Sequence, residues 1–278
     1  MSKYVLFFHP GSEKQVVNEV CEWSKKKLHG KFTQHSRKFM EAYGSVIDSE
    51  KNFRKEKFRF WGEWEACSKV INYNGPLNSN TKHEPKWIHE PIRPKKPLKK
   101  PKMYHNTDPV VFGDKFIYSN CKQYNKNKSG MQNLKRGDVI FFGSCIKKEF
   151  VLDTVFVVDK KFTYSKQRIS NDMKIEYPEW FQYLTLDTLD EKEYTFYTGA
   201  TYDNPVNGMY SFVPCIIKSD SNASFLRPNL PKEINDAHNL KNGRFIKYIN
   251  NDTHNNLWGL VKQYILDKNL SLAVKINL

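Results

Sequence analysis

The chain has 278 residues, and its 39% hydrophobic and 14% aromatic content supplies enough apolar material for a core, which excludes wholesale disorder. Its mean hydropathy is -0.71, and no apolar run approaches the roughly 18 residues of a membrane-crossing helix. Lysine and arginine number 45 against 30 aspartates and glutamates, a net charge of +15 that points to polyanions such as nucleic acid, nucleotides or an anionic surface.

In chain order, Tyr4–Phe8 reads as a short buried strand, too short for a signal-peptide core. Ser12 and Gln15 then form a capping box, opening a helix with Val16, Val17, Val20 and Cys21 on one stripe and Gly30 as its stop. Residues 57–66 alternate as a strand, with Phe58, Phe60 and Trp64 on one face and Arg59, Trp61, Glu63 and Glu65 on the other. Six prolines between 74 and 103, followed by clustered lysines, predict an extended connection rather than a packed element. The clearest β signal is a hairpin, Val139–Phe142 and Phe150–Val158, interrupted at Gly143-Ser144 and introduced by a Gly137-Asp138 turn. Strands follow at 194–200 and 209–217, with Asp203-Asn204-Pro205 and Asn207-Gly208 as turns between them. Thr253–Leu266 is an amphipathic helix with Leu257, Leu260, Val261, Tyr264 and Ile265 as its apolar face, and Ser271–Leu278 a last strand.

These elements predict an α+β chain whose mainly antiparallel, barrel-like sheet carries a few flanking helices. Its organisation reads as a strand–helix–strand part at 1–73, a proline- and lysine-rich connection at 74–103, and a β-rich main part at 104–278 that can be continuous with the first. The five cysteines are odd in number, far apart and without a C-x-x-C, the pattern of reduced thiols in a cytoplasmic chain. Without a GxGxxG or Walker A motif no cofactor is expected, and His83 and His89 lack metal-ligand spacing, so no metal is expected either.

Only eight of the 45 basic residues are arginine, and lysine with abundant asparagine is also what an AT-rich coding sequence produces. The charge therefore needs chemistry beside it. Trp61, Glu63 and Glu65 line one strand face next to Arg59, where an indole can stack a base and carboxylates can accept from exocyclic amines. Paired carboxylates also serve glycosidic chemistry, and an exposed face of weak ion pairs is the plain alternative. Asp153 lies on an apolar strand face and must be hydrogen-bonded, cation-paired or protonated, or else sit at a bulge. Tyr118, Asn120 and Gln123 offer groups suited to a base edge, Tyr202 a second stacking surface, and Lys99 and Lys100 a track for phosphates.

The stretch from Gly137-Asp138 through Ser144, followed by Phe150–Val158, resembles the core hairpin of PUA-like folds, the group that includes the EVE and ASCH families. That resemblance implies a small barrel with an aromatic-lined pocket for a flipped, often modified base, with Trp61, Tyr118 and Tyr202 as its walls, in a setting of defence against foreign DNA. The N-terminal strand–helix and the proline-rich connection match no PUA-like pattern. Two functions follow as expectations. One is a nucleic-acid reader, of DNA before RNA, using Arg59, Trp61, Trp64, Tyr118, Asn120, Gln123, Tyr202, Lys99 and Lys100. The other is an enzyme of the DNA-glycosylase or ADP-ribosyl-processing kind, with Glu63, Glu65, Asp108 or Asp153 activating water or stabilising an oxocarbenium ion.

Overall fold

The structure is a computed structural model, and it describes residues 3–8, 20–21, 37–64, 66–73, 85, 87–99, 111–123, 130–146, 149–220, 224–231, 234, 246–249 and 256–277. Two sheets dominate. The first contains β1 (Tyr4–Phe8), β7 (Ile117–Tyr118), β8 (Val139–Ile146), β9 (Glu149–Ser165), β10 (Glu193–Gly199) and β12 (Ile246–Ile249), in the order β12-β1-β8-β9-β10-β7. Among the described strands of this sheet only β1 and β8 run parallel. The strand β1 is buried along its whole length, which is why Tyr4-Val5-Leu6-Phe7-Phe8 is an unbroken apolar run.

Side chains leave this sheet alternately. Val5, Phe7, Ile140 and Phe142 enter one core, and Tyr4, Leu6, Val139 and Phe141 enter the other. The second core is covered by α3 (Leu257–Asp267), whose N-cap Asn256 accepts from the Gly259 amide. Its buried face is Leu257, Trp258, Val261, Ile265 and Leu266, whereas Leu260, expected inside, is exposed.

The second sheet contains β2 (Val20–Cys21), β3 (Arg37–Ile47), β4 (Phe53–Glu63), β5 (Ser68–Tyr73), β6 (Trp87–Pro91), β11 (Val213–Ile217) and β13 (Ser271–Asn277). Its order is β13-β11-β4-β3-β6-β5-β2, and β13 is hydrogen-bonded to β3 as well as to β11. Phe58 and Phe60 point into the first core, and Arg59, Trp61 and Glu63 to the opposite face, the alternation expected from the sequence. With two short helices, α1 (Asn171–Lys174) and α2 (Glu179–Leu184), the class is α+β, strand-rich and mainly antiparallel.

Three expectations need correction. Val20 and Cys21 are strand, paired to Lys69 and Ser68, rather than helix; the remainder of that expected helix lies outside the described residues. A β-branched valine at a sheet edge satisfies its backbone there, and pairing overrides a weak helical stripe. The proline-rich connection contains a packed strand, β6, inserted between β3 and β5 with Trp87, Ile88 and His89 buried. The run 87–90 is free of proline, and Pro91 stands at its last position, where a missing N–H is tolerated. The third concerns Gly143-Ser144, which does not end the strand. Phe142 pairs with Thr154 and Gly143 with Leu152, leaving Asp153 as the extra residue of a β-bulge. Leu152 and Val155 consequently face the same core although three residues apart, so Asp153 is turned away from the face that carries Val155 and Val157.

Candidate functional site

The bulge aims Asp153 at the second sheet, where it meets Arg37. The Arg37 guanidinium donates from Nε to Asp153 Oδ2 at 2.7 Å and pairs through Nη1 with Glu63 Oε1 at 2.8 Å. Arg37 and Glu63 are cross-strand partners at one end of the β3–β4 hairpin. Arg227 approaches from the other side, its Nη1 donating to Ser144 Oγ at 2.9 Å and to Asp153 Oδ1 at 3.5 Å. Its guanidinium carbon lies 5.4 Å from the Trp61 ring centre, and Trp61 Nε1 donates to the Phe225 carbonyl at 2.9 Å. Burial holds the Arg227 guanidinium below its ordinary value, with Asp153 opposing that shift.

All four charged groups are buried, and the two arginines balance the two carboxylates. The structure thus brings Trp61, Glu63 and Asp153 into one cluster, although β4 and β9 are far apart in sequence. The chain itself fills that cluster: Arg227 covers the indole face, and Phe39 and Phe225 pack around it. This geometry bolts one sheet to the other.

The remaining expected residues lie elsewhere. Arg59 is buried and donates from Nε to Glu41 Oε2 at 3.1 Å; Glu41 also accepts from Lys218 Nζ at 3.0 Å. Burial raises the Glu41 carboxyl, but these two cations outweigh it and hold the group below its ordinary value. Tyr118 stacks on Tyr197 inside the first core and donates its hydroxyl to the Cys121 carbonyl. Asn120 donates to Ser119 Oγ. Gln123 spends both halves of its amide on the Thr195 backbone, in effect extending the edge of β10. Tyr202 is exposed and stacked on exposed Phe53, with ring centres 5.6 Å apart. Trp61, Tyr118 and Tyr202 therefore do not wall a common pocket. Lys99 is exposed, whereas Glu65, Lys100 and Asp108 lie outside the described residues.

Trp64 leads to a different place. It is buried just beyond β4, donates from Nε1 to the Cys67 carbonyl at 2.8 Å, and packs its ring 6.0 Å from that of Trp180 on α2. Trp180 and Tyr183 share one face of this short helix, three residues apart, while Phe181 and Leu184 are buried in the core. Between α2 and the 91–95 segment runs an open cleft of about 640 Å³, lined by Trp180, Tyr183, Lys69, Ile92, Arg93 and Lys95. Two carboxylates also line it: Glu179 accepts from the Tyr183 hydroxyl, and Glu90 is the cross-strand neighbour of Lys69. Among the described residues Lys69, Arg93 and Lys95 have no ion-pair partner.

The cleft joins half-buried aromatic rings to free cations, a combination suited to stacking a planar group and neutralising a phosphate. Sequence reading names Trp64 beneath it and the lysine run beside it but passes over Trp180 and Tyr183. The signal is present: Pro178 sets a helix start, and behind it Phe181 and Leu184 form an inward pair and Trp180 and Tyr183 an outward pair at helical spacing. Compared with protein-family models, curated proteins and solved structures, the chain matches none.

Proposed function

We propose that this chain binds nucleic acid, taking an unpaired base against Trp180 and Tyr183 while Lys69, Arg93 and Lys95 hold the adjoining phosphates. One observation carries this reading: an open, aromatic-sided cleft whose three cations lack ion-pair partners among the described residues. The net charge of +15 supports it by drawing polyanions to the whole surface. The base reader expected from the sequence is retained, but its stacking surface moves from Trp61 to Trp180. A barrel-like, PUA-like arrangement belongs to the same proposal, supported by β13 pairing with both β11 and β3, which turns the second sheet back on itself.

Binding is favoured over glycosidic cleavage because Glu63 and Asp153 share one buried guanidinium and Arg227 also holds Asp153. Fluorescence anisotropy with labelled single-stranded DNA and RNA, at two salt concentrations, tests the reading. Affinity should fall with salt and fall again, by about 1–3 kcal/mol for the missing stack, in Trp180→Ala, with no free base released. Binding that ignores both salt and Trp180 would refute it, and base release abolished in Asp153→Asn would replace it with the enzymatic reading.

A further inference from the structure

The cleft continues beyond α2. A second cleft of about 260 Å³ shares Glu90, Pro91 and Arg93 with the first and extends it to Tyr43, Lys57 and Ile71. Tyr43 and Lys57 are cross-strand partners on the outward face of the β3–β4 hairpin, and Tyr43 is 48% exposed. Along β4 the residues on this face are Lys57, Lys55 and Phe53, each exposed. At about 3.4 Å per residue, the row spans about 14 Å from Lys57 to Phe53.

The row ends on an aromatic pair, since Phe53 (48% exposed) stacks on Tyr202 (41% exposed). Side by side, the two rings form a small apolar patch that faces solvent. Two lysines accompany the pair. Lys51 stands in the β3–β4 turn with a left-handed φ of 68°, and Lys262 Nζ lies 4.9 Å from the Trp258 ring centre and 5.8 Å from that of Tyr210. Burial, and then the charge of Lys51, hold Lys262 below its ordinary value, so the two cations sense one another. Among the described residues neither is ion-paired. The carboxylates near the path are Glu90, which lines both clefts and neighbours Lys69 across the β5–β6 pair; Glu41, held by Arg59 and Lys218; Glu56, between Lys55 and Lys57 on β4; and the exposed Glu50 and Asp203.

Resting on the nucleic-acid reading of the Trp180 cleft, we propose that a single strand leaves that cleft past Arg93, follows Lys57 and Lys55 along β4, and stacks a further base on Phe53 and Tyr202. The occupant is single-stranded, because ring faces presented to solvent accept unpaired bases and paired ones keep their faces covered in the duplex. The lysines between the rings supply the phosphate contacts, as in other sequence-tolerant single-strand sites.

The test uses the full chain and two homopolymeric oligonucleotides, one of about 4 and one of about 16 nucleotides, the span over which single-strand sites range. Phe53→Ala with Tyr202→Ala should weaken the long strand at least about fivefold. The part of the tryptophan quenching by the short strand that is lost in Trp180→Ala should be unchanged when Phe53 and Tyr202 are replaced. Lys55→Gln with Lys57→Gln should lower the salt dependence of long-strand binding by about 0.7 for each phosphate no longer neutralised. These positions are exposed, so thermal unfolding should match that of the parent chain. Long-strand affinity and salt slope left unchanged in both variants would overturn the extended path while leaving the Trp180 cleft standing. If Trp180→Ala weakens neither strand, the cleft reading itself has failed, and with it the path.

Discussion

Replacing Arg37 with methionine, similar in length but uncharged, isolates what the buried cluster does. The guanidinium makes a 2.7 Å contact with Asp153 and a 2.8 Å contact with Glu63, and its own side chain is fully buried. Without it, two buried carboxylates remain, and Arg227, 3.5 Å from Asp153, is already bonded to Ser144. Removing one partner of a buried pair costs about 3–5 kcal/mol, because the charge left behind keeps its desolvation penalty. That is a large share of the roughly 5–15 kcal/mol by which a folded chain is stable. With a urea slope of about 3 kcal/mol per molar for a chain of this size, the unfolding midpoint at pH 7 should fall by about 1–2 M. A deficit below about 1 kcal/mol at pH 7 would refute the view that this cluster locks the two sheets together.

Two further outcomes follow from other parts of the fold. Gly143→Ala should destabilise by at least about 1–3 kcal/mol in the same assay, because an added Cβ would lie 2.0 Å from the Val151 carbonyl oxygen and 2.6 Å from the Phe150 ring; full stability would show that the bulge relaxes freely. Burial, and then the Lys38 charge, push the His89 imidazole down to about 3. The unfolded chain takes up this proton near pH 6.5 and the folded chain only near 3, so this contribution is whole above pH 6.5 and lost as the pH falls between those values. His89→Asn should flatten stability against pH between 6.5 and 5 by up to about 1.4 kcal/mol per unit, and a slope identical to the parent's would show that His89 is protonated in the fold.

Local pattern makes part of the fold legible. The apolar run at Tyr4–Phe8, the hairpin after Gly137-Asp138, and the tail from Ser271 carry their signals within a few residues, and each is a strand. Asp138 shows why the Gly-Asp turn matters: its carboxylate accepts from the Lys3 and Lys135 amides, tying β1 to β8. The eleven-residue β3 escapes sequence reading, because charged and polar residues interrupt its alternation and its apolar members face different partners along the strand. Strand β6 is hidden by the prolines around it. At the site, Asp153 is recognisable from sequence as needing a partner, but Arg37, 116 residues away, becomes that partner only through the packing of two sheets. Trp61 stands out for its aromatic, carboxylate-rich neighbourhood, yet exposure is a tertiary property: Trp61 is buried beneath Arg227, and Trp180 meets solvent.

Photo-crosslinking addresses the central claim most directly. The full chain would be irradiated with single-stranded nucleic acid and the attached peptides located by mass spectrometry, with Trp180→Ala as the comparison. Attachment within 91–99 and 179–183, reduced in that variant and at high salt, is the predicted result. Attachment confined to other surfaces, or none at any salt, would contradict the assignment of the Trp180 cleft as the place where nucleic acid is held.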